Sequence, residues 1–206
     1  MAELRTFVYL DRLQPQFAAY VGANARGYIP IAGMAATLIE ISPGVTINKV
    51  IDSVVKTANV RPGLMVVERH FGVLEFHSEN QAEVKHGGDA ALSQLGFHLE
   101  ERIKPKVLST EIIKKLNPYH AQMINVNRLC SMSLPGQDIF IMECQPAAYI
   151  ALAANEAEKN SLVTLVDCRV YGAVGRLYMA GKSSDVERAS QAAQGALQGL
   201  KGKESA

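Results

Sequence analysis

Residues 38–44 read LIEISPG, and residues 141–147, which lie 103 positions further along the chain, read IMECQPA. A period of this length exceeds the roughly 20–50 residues of solenoid repeats and instead indicates two copies of one small domain. The sequence therefore predicts domains at residues 1–103 and 104–206, packed around a pseudo-twofold axis or arranged in a ring with two domains per subunit. Identical residues recur at the same offset across most of the chain: Leu13 and Leu116, Pro15 and Pro118, Lys56 and Lys159, and Gly72 and Gly175.

The composition is that of a folded protein, with 206 residues of which 48% are hydrophobic and 20% are charged. This is enough apolar material for two modest cores and argues against disorder. The net charge is +1, and the most clustered lysines are spread along a predicted strand: Lys104, Lys106, Lys114 and Lys115. Because nucleic-acid binders usually carry a concentrated basic face, we expect no nucleic-acid partner.

Cysteine usage and hydropathy favour a reducing compartment and no contact with a membrane. The three cysteines, Cys130, Cys144 and Cys168, leave an odd number without a CxxC spacing, which argues against a disulfide framework. The N-terminus lacks a cationic head followed by an apolar run, and no stretch reaches the ~18 consecutive apolar residues of a membrane span. We therefore expect a cytoplasmic protein.

Each copy shows the element order β-α-β-α-β-β-α. In the first copy the pattern predicts strands at 4–10, 36–41, 64–67 and 72–76, and helices after Pro15, from Thr46 and at 80–95. The second copy repeats this order. It predicts a small antiparallel or mixed sheet with helices on one side, an α+β layer domain related to the ferredoxin-like group.

A second repeated segment identifies a family. Residues 52–60 read DSVVKTANV, and residues 155–163 read NEAEKNSLV, which keeps the lysine but replaces the aspartate by asparagine. This pattern, with a strand–loop–strand unit after it and strand–helix–strand material before it, resembles the circularly permuted BMC domain of bacterial microcompartment shell proteins. The duplicated order is similar to the tandem-domain type of that family, and the likeness covers residues 4–200.

The resemblance implies a structural protein of a cytoplasmic microcompartment shell. Three chains of two domains would form a homotrimer with the shape of a hexamer, and two such trimers would stack face to face. The tile would lie among hexameric and pentameric shell proteins, and small metabolites would pass through a gated central pore. The resemblance implies neither enzymatic activity nor a cofactor.

The loop that would line this pore is Glu68, Arg69, His70, Phe71 and Gly72. Under threefold symmetry three Glu68 carboxylates would repel one another, and Arg69 could neutralise them locally or across the subunit boundary. Neighbouring residues of an extended strand point in opposite directions, so two backbone arrangements would provide a closed and an open state. The alternative is that Glu68 and Arg69 are only a solvated hairpin tip.

The second copy lacks this charged pair, because Tyr171 and Gly172 occupy the equivalent positions. Only three of the six domains would then form the charged ring. Lys56 and Lys159 end their predicted helices, where the helix dipole favours a cation. The resemblance makes both lysines candidates for edge contacts between tiles; the alternative is a solvated helix cap.

Signals for catalysis or metal binding are weak. Gly181, Lys182 and Ser183 lie between a strand and a helix, but the upstream glycine is misplaced for a phosphate-binding loop. Glu75 and His77 share a strand face near His86, without the second histidine pair that a metal site would need. We expect no catalytic residue, metal or cofactor.

One alternative function remains open on the sequence. A trimeric ferredoxin-like enzyme or small-molecule sensor could hold an anionic ligand at its subunit interfaces. In that case Arg69, His70 and Arg169 would contact the anion, because all three are cationic or can become so.

Overall fold

The computed structural model describes residues 2–204 and contains both predicted copies of the element order. The first copy comprises β1 (Glu3–Leu10), α1 (Pro15–Asn24), β2 (Ala35–Ser42), α2 (Ile47–Thr57), β3 (Arg61–Glu68), β4 (Phe71–Ser78) and α3 (Gln81–Leu95). The second comprises β5 (Lys106–Ile113), α4 (Pro118–Asn127), β6 (Asp138–Gln145), α5 (Ile150–Asn160), β7 (Thr164–Arg169), β8 (Gly175–Gly181) and α6 (Ser183–Gln198). A short 3₁₀ turn precedes α2 at Gly44–Thr46, and another precedes α5 at Ala147–Tyr149.

Each copy forms one four-stranded antiparallel sheet, with strand order β1-β2-β4-β3 in the first and β5-β6-β8-β7 in the second. The central strand β2 is buried along seven of its eight residues, as expected for a strand that is covered on both faces. The α+β class is thus confirmed, and the sheets are antiparallel rather than mixed.

The helices do not all lie on one side of the sheet, and that part of the prediction is wrong. Helices α2 and α3 pack on one face of the first sheet, where Ile39 and Phe76 meet Val54 and Val84 in one buried cluster. Strand residues alternate between faces, so Leu38 points the other way and joins a cluster with α1. The periodicity of α1 shows that it has a buried face, but not which sheet face it covers.

The two copies share a hydrophobic core. Val8 and Tyr20 of the first copy lie in the same buried cluster as Tyr149, Ala154 and Cys168 of the second. A continuous apolar interface of this kind holds the copies together as one packed unit. The boundary between residues 103 and 104 stays a prediction.

No helix within residues 2–204 is long and apolar enough to cross a membrane.

Candidate pore and boundary surfaces

The candidate pore loop is a tight hairpin between β3 and β4. Glu68 ends β3 and pairs with Phe71, which begins β4, so Arg69 and His70 form the turn. Arg69 has a left-handed backbone with φ of 53°, which costs an L-residue about 1–2 kcal/mol. Because Arg69 lies in a turn, the alternation of an extended strand does not apply to it.

The equivalent residue of the second copy, Gly172, also has a positive φ, of 104°. Glycine adopts this conformation without a steric penalty. The first copy therefore places a long cationic side chain at a position that the second copy leaves to glycine.

The base of the hairpin is held rigidly. The guanidinium of Arg5 stacks on the Phe71 ring, 3.7 Å from its centroid, and the Gly44 N–H donates to the His70 carbonyl over 2.8 Å. A Cβ on Gly72 would overlap the Gly44 carbonyl oxygen. Gly175 lies equally close to the Ala147 carbonyl oxygen, so both glycines are required by the close backbone approach that the sequence predicts.

Glu68 and Arg69 do not form an ion pair with each other or with another side chain of residues 2–204. The Glu68 carboxylate instead lies against the second copy. Its Oε2 is 3.3 Å from the point that a Cβ would occupy if Gly172 were replaced by a residue with a side chain. Arg69 and His70 are exposed. The pair is therefore not neutralised within one chain, and pairing across a subunit boundary stays a prediction.

A cavity of about 250 Å³ separates the hairpin from the equivalent loop of the second copy, and Glu68, Tyr171 and Gly172 line it. Arg169 and Arg176 also line it, but Arg169 Nε lies 3.2 Å from Asp167 and Arg176 Nε lies 2.7 Å from Glu143. Both guanidinium groups therefore already have a carboxylate partner, which gives the anion-sensor alternative no support at Arg169.

The two candidate edge lysines lie where the sequence predicts them, in the last turns of α2 and α5. Lys56 forms an ion pair with Asp52 over 2.6 Å, and Lys159 contacts Glu156 over 3.5 Å. Both ammonium groups are exposed, so each ion pair adds little to stability. Their contacts with other tiles are not tested by a single chain.

The boundary between the two copies contains a polar contact that sequence reasoning missed. Glu158 of α5 accepts hydrogen bonds from the backbone N–H groups of Gln16 and Phe17 over 2.8 and 2.9 Å. Gln14 at the N-cap provides no side-chain acceptor, so the second copy caps helix α1 of the first. Asn155 adds two further bonds, accepting from the Gln14 N–H and donating to the Arg12 carbonyl.

A second contact across this boundary involves Glu40, which is fully buried. One of its oxygens accepts from Arg5 Nε over 2.8 Å, and the other accepts from the Ala148 N–H of the second copy over 2.8 Å. Burial raises the pKa of Glu40 above its usual range, although the bonds to Arg5, Ala148 and Thr6 oppose that shift.

At the outer ends of the molecule, β3 and α4 expose Met65, Val67 and Met123, whose equivalents Cys168, Val170 and Tyr20 are buried. We call Val55, Met65 and Val67 the β3 surface; Met65 is 42% exposed, whereas its equivalent Cys168 is 0% exposed. We call Tyr119, Met123 and Val126 the α4 surface; Met123 is 68% exposed, whereas its equivalent Tyr20 is 1% exposed.

The remaining sequence candidates do not form a site. Gly181 ends β8 and Ser183 begins α6, which is a simple strand-to-helix turn. Cys144 and Cys168 are buried and Cys130 is half-buried. Across residues 2–204, no three His, Cys, Asp or Glu side chains lie together in a way that could hold a metal ion.

Comparisons with known proteins agree with this geometry. The model of the CsoS1D N-terminal domain family matches residues 4–101. The carboxysome shell protein CcmP of Synechococcus elongatus is 46% identical over 98% of this chain and 95% of its own length. The chain belongs to the bacterial microcompartment shell proteins. The shell protein CsoS1D of Prochlorococcus marinus is 47% identical over 93% of this chain and 75% of its own length.

Two solved shell proteins share the whole fold. A fused permuted hexameric shell protein from the RMM microcompartment has a TM-score of 0.94 and 46% identity, over 98% of this chain and all of the other. A double ringed trimeric shell protein from the same kind of microcompartment has a TM-score of 0.96 and 40% identity, over all of both chains. The resemblance seen in the sequence and the tandem permuted shell fold are confirmed, and this chain is a structural shell protein.

Proposed function

We propose that three copies of this shell protein close into a ring of six domains, with a central pore that opens and closes. The observation that carries the proposal is the match between the internal boundary and the two outer ends. The α4 surface of one chain would cover the β3 surface of the next, as α1 covers β7 within the chain. Such head-to-tail contacts form a closed ring when the rotation between subunits closes.

Charged substitutions in the two surfaces test the ring. Light scattering should give the parent a mass of three times 22.3 kDa, or twice that mass where two trimers stack, whereas Met65→Asp and Met123→Asp should each yield single chains because a buried carboxylate would lack a partner. Leu162→Asp is the matched control, since Leu162 is exposed and belongs to neither surface. A parent protein that stays monomeric across the micromolar range would contradict the ring.

The gate is the second part of the proposal. In the ring, three hairpins would bring Glu68 and Arg69 to the axis, and pairing of each guanidinium with a carboxylate of a neighbouring subunit would close the pore. The exposed Arg69 and the unpaired Glu68 carboxylate support this, because neither has a partner side chain among residues 2–204. Rotation of the pairs away from the axis would open a path for small metabolites.

Three variants test the gate. Arg69→Ala should open the pore because three carboxylates then repel, and Glu68→Ala should open it because three cations repel. Truncating one member of a desolvated pair costs more than removing both, so Glu68→Ala with Arg69→Ala should destabilise the trimer least. The gate would be refuted if crystal structures of both single variants showed the same closed hairpin as the parent. Glu68 and Arg69 would then be only the solvated tip of a hairpin.

Lys56 and Lys159 are the proposed edge contacts with hexameric and pentameric shell proteins. Both lysines lie in exposed last turns, so each ammonium remains accessible to a neighbouring tile beside its ion pair within the helix. Lys56→Ala and Lys159→Ala should preserve the fold and the trimer but reduce incorporation into co-assembled shells. Lys49→Ala on the exposed side of α2 is the control, and unchanged incorporation of both variants would refute the assignment.

Two loops support stacking of trimers. Ile29 and Ile31 of the first copy are exposed, and so are their equivalents Met132 and Leu134 in the second. In a ring these apolar pairs would form a circle on one face, which a second ring could cover by matching symmetry. Ile31→Asp should convert a six-chain stack into single trimers in light scattering; a stack that persists would place the contact elsewhere.

A further inference from the structure

Glu75 and His77 lie side by side on β4 and are completely buried. Glu75 Oε1 is 2.9 Å from His77 Nδ1, and Glu75 Oε2 accepts a hydrogen bond from the Leu64 N–H over 3.3 Å. His77 is 1% exposed and Glu75 is 0% exposed. The pair therefore fixes the orientation of the imidazole ring.

The other nitrogen of this ring has no hydrogen-bond partner in the part of the chain that the structure describes. His77 Nε2 is buried and unpaired. Leaving a buried polar atom unpaired costs about 1–3 kcal/mol, and folded proteins satisfy the large majority of such atoms. A partner from outside the chain would recover this energy.

His77 is one of the residues that line a cavity of about 290 Å³ at the end of the β3–β4 pair. Arg61, which is directly opposite His77 in the sheet register, also lines the cavity. The remaining lining is mostly polar and comes from the strand ends and the start of α3: Met34, Asn59, Ser78, Glu79 and Asn80. The start of the 15-residue helix α3 adds positive potential.

The second copy shows that the fold does not require the pair. At the positions equivalent to Glu75 and His77 it has Tyr178 and Ala180, yet the same two strands pair in the same order. The strand order therefore does not by itself require a buried carboxyl and imidazole at these positions.

We propose that this cavity binds a small hydroxycarboxylate, whose carboxylate accepts hydrogen bonds from His77 Nε2 and from the Arg61 guanidinium. The side chains of Asn59, Ser78 and Asn80 would then contact its hydroxyl group. Burial raises the pKa of Glu75 above its usual range. In the proposed complex the Glu75 carboxyl would donate to Nδ1, and Nε2–H would be the donor to the ligand. All these residues belong to the first copy, so the site does not depend on the proposed ring or gate.

Calorimetric titration of the full-length protein with sodium glycolate tests the site, with ethylene glycol as a neutral ligand of the same size. Glycolate should bind, and Arg61→Ala should weaken it ~10-fold by removing a charge-assisted bond. Arg61 is exposed, so this variant should fold; Arg188→Ala, on the exposed side of α6, is the matched control. In long-range ¹H–¹⁵N spectra, glycolate should shift His77 and leave the other four histidines unchanged.

The proposal is overturned if glycolate does not bind at millimolar concentration, or if ethylene glycol binds equally well. Unchanged affinity in both Arg61→Ala and His77→Gln, with folding verified by circular dichroism, would also overturn it. Binding of inorganic phosphate without binding of glycolate would contradict the assignment to a carboxylate.

Discussion

Removing the Glu158 carboxylate tests whether the second copy caps helix α1 of the first. Its two oxygens accept from the Gln16 and Phe17 N–H groups, and the N-cap residue Gln14 offers no replacement. Loss of an N-cap acceptor costs about 0.5–2 kcal/mol. Because both oxygens are used and the acceptor is charged, at the positive end of the helix, we expect Glu158→Ala to cost about 2 kcal/mol.

For a chain of this size each kcal/mol lowers the melting temperature by about 2–4 °C, so Glu158→Ala should melt about 4–8 °C below the parent. Thermal unfolding followed by circular dichroism at a fixed chain concentration measures this, since association shifts the melting temperature. Glu156→Ala on the same helix is the control, because its exposed pair with Lys159 is worth less than about 1 kcal/mol. A melting temperature for Glu158→Ala within about 1 °C of the control would refute the capping role.

The further predictions concern packing and burial. Gly72→Ala should lower the free energy of unfolding by more than about 3 kcal/mol, because its Cβ would overlap the Gly44 carbonyl. Gly195→Ala in the uncrowded helix α6 should raise it by about 0.5–1 kcal/mol, and urea unfolding of both variants measures the two effects. Burial raises the pKa of the Cys130 thiol to about 12, so at pH 8 a thiol reagent should modify Cys130 far more slowly in the folded protein than in urea; equal rates would contradict this. Burial also raises the pKa of Glu40, so the stability contributed by this group is present below the pKa of the unfolded chain and is lost as the pH rises through the folded value. The unfolding free energy of the parent minus that of Glu40→Gln should therefore fall as the pH rises above the usual carboxyl range, and urea titrations in which this difference rises would contradict the prediction.

The order and type of the elements could be predicted because the hydrophobic pattern occurs twice. Each element predicted in one copy is supported by the same pattern at the equivalent residues of the other. The bounds also follow from local chemistry, as at α1, which begins at Pro15, and at α3, which ends before the left-handed Gly96. The side of the sheet that α1 covers could not be predicted, since amphipathic spacing does not say which surface a helix meets. The left-handed backbone of Arg69 could not be predicted, because arginine rarely adopts this conformation.

The candidate site was predictable where it is local and not where it depends on the packing of the copies. Glu68, Arg69 and Gly72 are contiguous, so the hairpin could be located from the sequence. Glu158 lies 142 residues from Gln16, and no spacing rule connects a glutamate late in one helix with the first turn of another. The sequence shows that Glu75 and His77 lie on the same face of one strand, but only the structure shows that both side chains are buried.

Residues 96–105 join the two copies, from the end of α3 to the start of β5, and this short covalent link changes what each boundary has to achieve. Segments joined by a short link meet at an effective concentration in the millimolar range, so the internal boundary forms without the cost of bringing two molecules together. It can therefore rely on directional contacts such as those of Glu158 and Asn155. In the proposed ring, separate molecules lose about 4–15 kcal/mol of translational and rotational freedom, and the outer ends accordingly present methionine, valine and tyrosine, which gain energy from burial alone.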